Sequence, residues 1–137
     1  MPKTIAKYSI RVIALFYAYG AFVHVLNIAG VNGFDWLQAP LKWQLLDVIY
    51  LILDVVVAVG VFRAWRLATV CFYCAALSQI VLYTVFRSWI VDVPEPFTLS
   101  TEEVAYLDTL VIFHAVTLIV MTFCLLCLKG PTKPCDS

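Results

Sequence analysis

The sequence predicts an all-α integral membrane protein, a four-helix bundle with both termini on the cytoplasmic side. Three observations carry that prediction. Of 137 residues, 64% are hydrophobic and 13% charged, with a mean hydropathy of +0.95. That leaves too few polar side chains to wet the surface of a soluble domain of this size. Four apolar stretches, about residues 8–30, 41–62, 67–88 and 103–128, reach the length of about 20 residues that a helix needs to cross the hydrocarbon core. The cations, finally, are unevenly spread. Lys3, Lys7 and Arg11, then Arg63 and Arg66 in "FRAWR", then Lys129 and Lys133 fall at one end of the expected bundle. Lys42 and Arg87 fall at the other, against Asp35, Asp92, Glu95, Glu102 and Glu103. Cytoplasmic loops collect Lys and Arg, so the termini and the 2–3 turn are expected inside.

Each span is punctuated where a helix should begin or end. The first follows a basic arm that could pass for a secretory signal, but its apolar part is too long for a signal h-region and reads as a first transmembrane helix. Gly30, Asn32 and Gly33 of "AGVNGFD" supply its C-terminal cap. Pro40 stands at the expected first position of the second span, where a missing N–H costs nothing. In "STEE", Ser100 and Glu103 form a capping box at the start of the fourth, and "KGP" at 129–131 stops it. Trp36, Trp43, Trp65 and Trp89 all fall at predicted helix ends, as an aromatic belt requires.

Polar groups inside the spans fall into stripes. Trp43, Asp47, Tyr50 and Asp54 share one face of the second helix. Tyr17, Gly20, His24 and Asn27 share one of the first, and His114, Thr117, Met121 and Cys124 one of the fourth. At about 1.5 Å of rise per residue, His24, His114 and at least one of the two carboxylates reach a common layer in the outer half. Three readings of that layer are open. It is a polar lock that fixes helix register. It holds a metal or haem, with His24 and His114 as axial ligands of a haem b, or His24, Asp47 and His114 around copper or zinc. Or it is a quinone or proton site, in which a His–Asp pair hydrogen-bonds a quinone carbonyl and Tyr or Trp rings flank it.

Two C-x-x-C pairs, Cys71/Cys74 and Cys124/Cys127, lie near the cytoplasmic ends of their spans. Four thiols there could converge on a soft metal, against the plainer reading of small apolar residues in a reducing compartment. Cys135 is expected to be a free thiol in the tail, and its place third from the last residue does not fit a prenylation box. The two loops opposite the termini, "VNGFDWLQAP" and "SWIVDVPEPFTLSTEE", carry Phe34, Trp36, Trp89 and Phe97. Those aromatics are expected either to dip into headgroups or to contact a partner.

Neutral net charge and the lack of a basic run exclude a nucleic-acid footprint. No nucleophile elbow, zincin motif, phosphate loop or haem-attachment C-x-x-C-H is present, so the sequence points away from a self-sufficient enzyme.

Residues about 8–88, with Arg11 and Gly20 in "IRVIALFYAYGAFVHVLN" and Gly60, Phe62, Arg63 and Arg66 in "LILDVVVAVGVFRAWRLATVCFYCAAL", resemble the DoxX-like membrane proteins. The resemblance implies a small four-helix membrane bundle, often an accessory partner in quinone- or thiol-linked redox systems. It carries no site residue over. With the catalytic motifs missing, a bundle too thin to enclose a substrate path and aromatic outer loops, the expected function is an accessory subunit of a larger membrane complex, a redox one, surrounded by lipid and docked on a protein partner or on copies of itself in a bacterial inner membrane. The alternative is an independent redox protein holding haem b or quinone through His24 and His114, with copper as the further cofactor the donor set allows.

Overall fold

The computed structural model describes residues 1–31 and 33–129. Among them the chain forms five helices: α1 Lys3–Ile28, α2 Leu41–Phe62, α3 Arg66–Thr84, α4 Arg87–Val91 and α5 Thr101–Lys129. The four long helices are each apolar and long enough to cross a membrane, which makes this a multi-pass membrane protein. They close into a ring in which α1 packs on α2 and α5, and α3 packs on α2 and α5. This is the expected four-helix bundle, and α5, at 29 residues, is its longest helix.

Local chemistry explains most boundaries. At the end of α1, Gly30 adopts φ +65°, its N–H reaches Asn27 O at 3.0 Å, and the Val31 N–H reaches Leu26 O at 3.2 Å. That is a Schellman closure, with glycine at the left-handed position. Gly33 also has positive φ, while Asn32 lies outside the described residues. Pro40 stands at the N-cap of α2, one place before the first helical position expected of it. The α2–α3 turn repeats the Schellman pattern with a non-glycine: Ala64 has φ 55°, and the Trp65 N–H reaches Gly60 O at 2.9 Å. The Ser100–Glu103 capping box forms in full. The Ser100 N–H donates to Glu103 Oε2 at 2.8 Å, and the Glu103 N–H donates to Ser100 Oγ at 3.2 Å. Of the expected "KGP" stop, Gly130 and Pro131 lie outside the described residues, as does Cys135.

The third span differs from expectation. Instead of running to residue 88, α3 stops at Thr84, the backbone turns at Phe86, and α4 lies as a separate short helix. Neither glycine nor proline marks this break; long-range contacts hold it. Arg87 forms an ion pair with Asp108 on α5 and donates to Val104 O at 2.8 Å. The Trp43 indole donates to Ile90 O at 3.1 Å, and Lys42 donates to the carbonyls of Trp89 and Asp92. Ile90 is thereby buried over the loop end of the bundle.

The core is built from Ile13, Tyr17, Val57, Phe72, Ala75 and Met121. Two glycines permit close approach. A Cβ on Gly60 would stand 2.6 Å from Ala68 Cβ, and one on Gly20 would stand 2.5 Å from Asp54 Oδ2. Large apolar side chains such as Phe22, Ile52, Ile112 and Ile119 face outward, as lipid contact demands.

Candidate functional site: a histidine between two carboxylates

The face spacing on α1 and α2 places His24 against both aspartates of α2. Its Nδ1 lies 2.7 Å from Asp47 Oδ1, and its Nε2 lies 3.9 Å from Asp54 Oδ2. The ring stacks on Tyr50 at 6.3 Å between centroids, and the Tyr50 hydroxyl pairs with Ser78 Oγ at 3.0 Å. Asp47 takes two more donors. Asn27 Nδ2 donates to Oδ1 at 3.3 Å, and the Trp36 indole N–H donates to Oδ2 at 3.1 Å. An ionised carboxylate only accepts, so in this arrangement His24 carries its proton on Nδ1.

Two cavities meet at His24. The first, about 250 Å³, lies toward the loops and is lined by His24, Asn27, Asp47 and Tyr50 below and by Phe34, Ile90 and Leu99 above. The second, about 320 Å³, lies deeper and is lined by Tyr17, His24, Asp54, Gln79 and His114. It extends between α1 and α5 to the exposed Tyr19 and Tyr106. Tyr83 of α3 borders both. Three buried polar atoms of the deeper cavity's lining residues have no hydrogen-bond partner among the described residues: Tyr17 Oη, Asp54 Oδ1 and His114 Nδ1. The Tyr17 and His114 rings stand edge to face, 6.3 Å apart. Buried polar groups are nearly always paired, so three unpaired atoms around one cavity mark a place suited to a polar ligand.

The histidines therefore share a cavity but take different partners. His24 is engaged from both sides; His114 offers an unpaired nitrogen, and its carbonyl accepts from Thr117 Oγ1 at 3.1 Å. Among the described residues no three His, Cys, Asp or Glu side chains gather closely enough to hold a metal ion. The expected His24, Asp47 and His114 set does not assemble, because Asp47 sits at the loop-end side of His24, whereas His114 opens only on the deeper cavity. Nor do the four thiols. Cys124 is buried and Cys71 and Cys127 are half-buried, but Cys74 points outward from α3.

The loop aromatics, expected at a partner surface, mostly turn inward. Phe34 stacks on Trp43 at 6.3 Å, and Phe97 packs edge-on against both, at 6.0 and 6.3 Å. Together with the Trp36 indole on Asp47 they form a lid over the first cavity. Of the four expected contact residues, only Trp89 is exposed, with the Lys42 ammonium 5.3 Å from its ring centroid. The sequence reading missed the α3 contribution. Phe72, Ala76, Gln79 and Tyr83 recur at spacings of four, three and four, the helical signal that could have found it.

Comparison with protein-family models, with curated proteins and with solved structures finds no match to this chain.

Proposed function

We propose that this protein binds a quinone, or an amphiphile with a headgroup of quinone chemistry, in the cavity between α1 and α5 of a bacterial cytoplasmic membrane. The carrying observation is the set of buried atoms on Tyr17, Asp54 and His114 that find no partner among the described residues, around a cavity that reaches the lipid-facing side. A quinone carbonyl would accept from the Tyr17 hydroxyl and from a protonated His114 Nδ1; a quinol hydroxyl would donate to Asp54. Phe16, Leu110 and Phe113 supply apolar walls for the ring and the first part of a tail. The distribution of Lys and Arg supports placing the loop end outside. A haem fits less well, because Asp54 stands on the Nε2 side of His24, where an iron would have to bind.

The test is titration of purified protein with decylubiquinone, followed by quenching of aromatic fluorescence. Saturable binding is expected, and His114→Phe should weaken it about tenfold, the loss of one buried hydrogen bond. Failure to saturate, or an unchanged His114→Phe affinity, would reject the reading, and a Soret band in the purified protein would select haem instead.

The accessory-subunit reading keeps the support of two exposed residues, Leu37 of the α1–α2 loop and Trp89 of α4, and of the DoxX-like resemblance. Co-migration of a stoichiometric larger protein after mild detergent extraction, lost in Trp89→Glu, is its test.

A further inference from the structure

His24 is the only imidazole that touches both cavities, and each ring nitrogen faces a different carboxylate. We infer that Asp54, His24 and Asp47 form a proton relay that connects the deeper cavity to the chamber under the aromatic lid. The inference rests on the binding reading for its purpose, since a quinol hydroxyl at Asp54 would release its proton there. The relay itself belongs to the protein without ligand.

The step balances with protons alone. Asp54, as a carboxylic acid, gives its proton to His24 Nε2, and the imidazolium gives the Nδ1 proton to Asp47 Oδ1. Asp54 is left as a carboxylate, Asp47 becomes the acid, and the histidine is again neutral with its tautomer exchanged. No electron moves. The Asp47 side is already closed at 2.7 Å. The Asp54 side, at 3.9 Å, needs a shortening of about 1 Å to reach hydrogen-bond length. A small rotation of the His24 ring would supply it, and the reverse pair of transfers, Asp47 to Nδ1 and Nε2 to Asp54, restores the starting tautomer.

The surroundings favour a relay over a static lock. A lock would satisfy both carboxylates, yet only Asp47 is satisfied, by His24, Asn27 and Trp36. Asp54 keeps one oxygen unpaired among the described residues. The other titratable groups lining the two cavities are Tyr17 and Tyr19 from α1, Tyr50 from α2, Tyr83 from α3, and Tyr106 and His114 from α5. Among the described residues no lysine or arginine lines either cavity, so no fixed positive charge pins the proton to one site. Gly20 lets Asp54 Oδ2 lie against the α1 backbone, on the same helix as His24 and four residues before it.

The experiment is infrared deuteration of the whole protein in lipid vesicles, without added quinone and in mildly acidic buffer. The Asp54 acid is identified as the carboxylic C=O band removed by Asp54→Asn; if that variant does not fold, carbon-13 labelling of aspartate assigns the band to an aspartic acid and Asp54→Glu, which moves it, assigns it to this position. On mixing with heavy water, the wild-type band should shift within the mixing time. His24→Phe should slow the shift about a hundredfold or more, the lower side of what a positioned acid–base group contributes. Asp47→Asn should slow it as well, whereas Thr109→Phe, on the same cavity but off the relay, should leave it unchanged. Equal rates in wild type and His24→Phe overturn the relay. So does slowing by Thr109→Phe equal to that by His24→Phe, which would mean that cavity access governs exchange, and so does the absence of any aspartic-acid band. No quinone enters the measurement, so the relay can hold where quinone binding fails, and it can fail where binding survives.

Discussion

Asp47 is the most heavily bonded side chain at the site, and removing it gives a loss that can be worked from the structure. Asp47→Ala deletes three contacts: His24 Nδ1 at 2.7 Å, Trp36 Nε1 at 3.1 Å and Asn27 Nδ2 at 3.3 Å. Hydrogen bonds between helices in a bilayer average about 0.6 kcal/mol and reach about 1.7 kcal/mol at best. Giving the short histidine contact the upper value and the other two the average yields about 3 kcal/mol. Asp47→Asn keeps one acceptor oxygen and should lose about half as much. Trp36→Phe alone removes a single contact and should cost about 0.6 kcal/mol. The assay is reversible unfolding in mixed micelles of rising denaturing-detergent fraction, read by helical circular dichroism, for the two single variants and their double. After Asp47→Ala, the Trp36→Phe change should cost almost nothing more, because its acceptor is already gone. A loss below about 1 kcal/mol for Asp47→Ala, or additivity of the two changes to within about 0.3 kcal/mol, would refute the reasoning.

Other perturbations test the frame around the site. Ala64→Gly should stabilise the protein by about 0.5–1 kcal/mol, seen as a raised midpoint in the same unfolding assay, because φ 55° strains any residue with a Cβ. Gly60→Val should destabilise by about 2 kcal/mol or more, since even its Cβ meets Ala68 Cβ at 2.6 Å; a neutral result would mean that α2 and α3 do not approach so closely. Glu103→Ala should lower stability by about 1 kcal/mol through the lost capping box, with Ser100→Ala similar and the double variant no worse than their sum. Lys42→Met should free the carbonyls of Trp89 and Asp92 and speed protease cleavage within residues 85–100, leaving the helical circular dichroism unchanged.

What the sequence made legible was periodic or local. The bounds of α2 could be read because Pro40 and the "FRAWR" turn bracket a run of about the length that spans the hydrocarbon core. The stripe Asp47, Tyr50 and Asp54 could be read because helical spacing puts residues three and four apart on one face, and the structure buries all three. The break before α4 was not legible. "YTVFRSWIV" holds no helix breaker, and its turn depends on Lys42, Trp43 and Asp108, which belong to other helices. The direction of the loop aromatics was hidden for a related reason. Hydrophobicity says that Phe34, Trp36 and Phe97 avoid water, but not whether a partner or their own chain covers them. Here the choice is made by an indole N–H that finds Asp47 and by a ring cluster on Trp43.

The difference between the two carboxylates is itself a product of spacing. Asp47 and Asp54 are seven residues apart, which sets them about 10 Å apart along α2. The upper one lies within reach of the loop, so Trp36 can fold down onto it while Asn27, at the last turn of α1, donates from the side. Among the described residues the lower one has no loop donor, and it borders the deeper cavity among helix side chains. Gly20 removes the Cβ that would otherwise stand against its oxygen, and among the described residues nothing takes up the second oxygen. A single helix face thus produces one satisfied and one unsatisfied carboxylate on either side of the same imidazole. That asymmetry gives a proton in this bundle two unequal places to be.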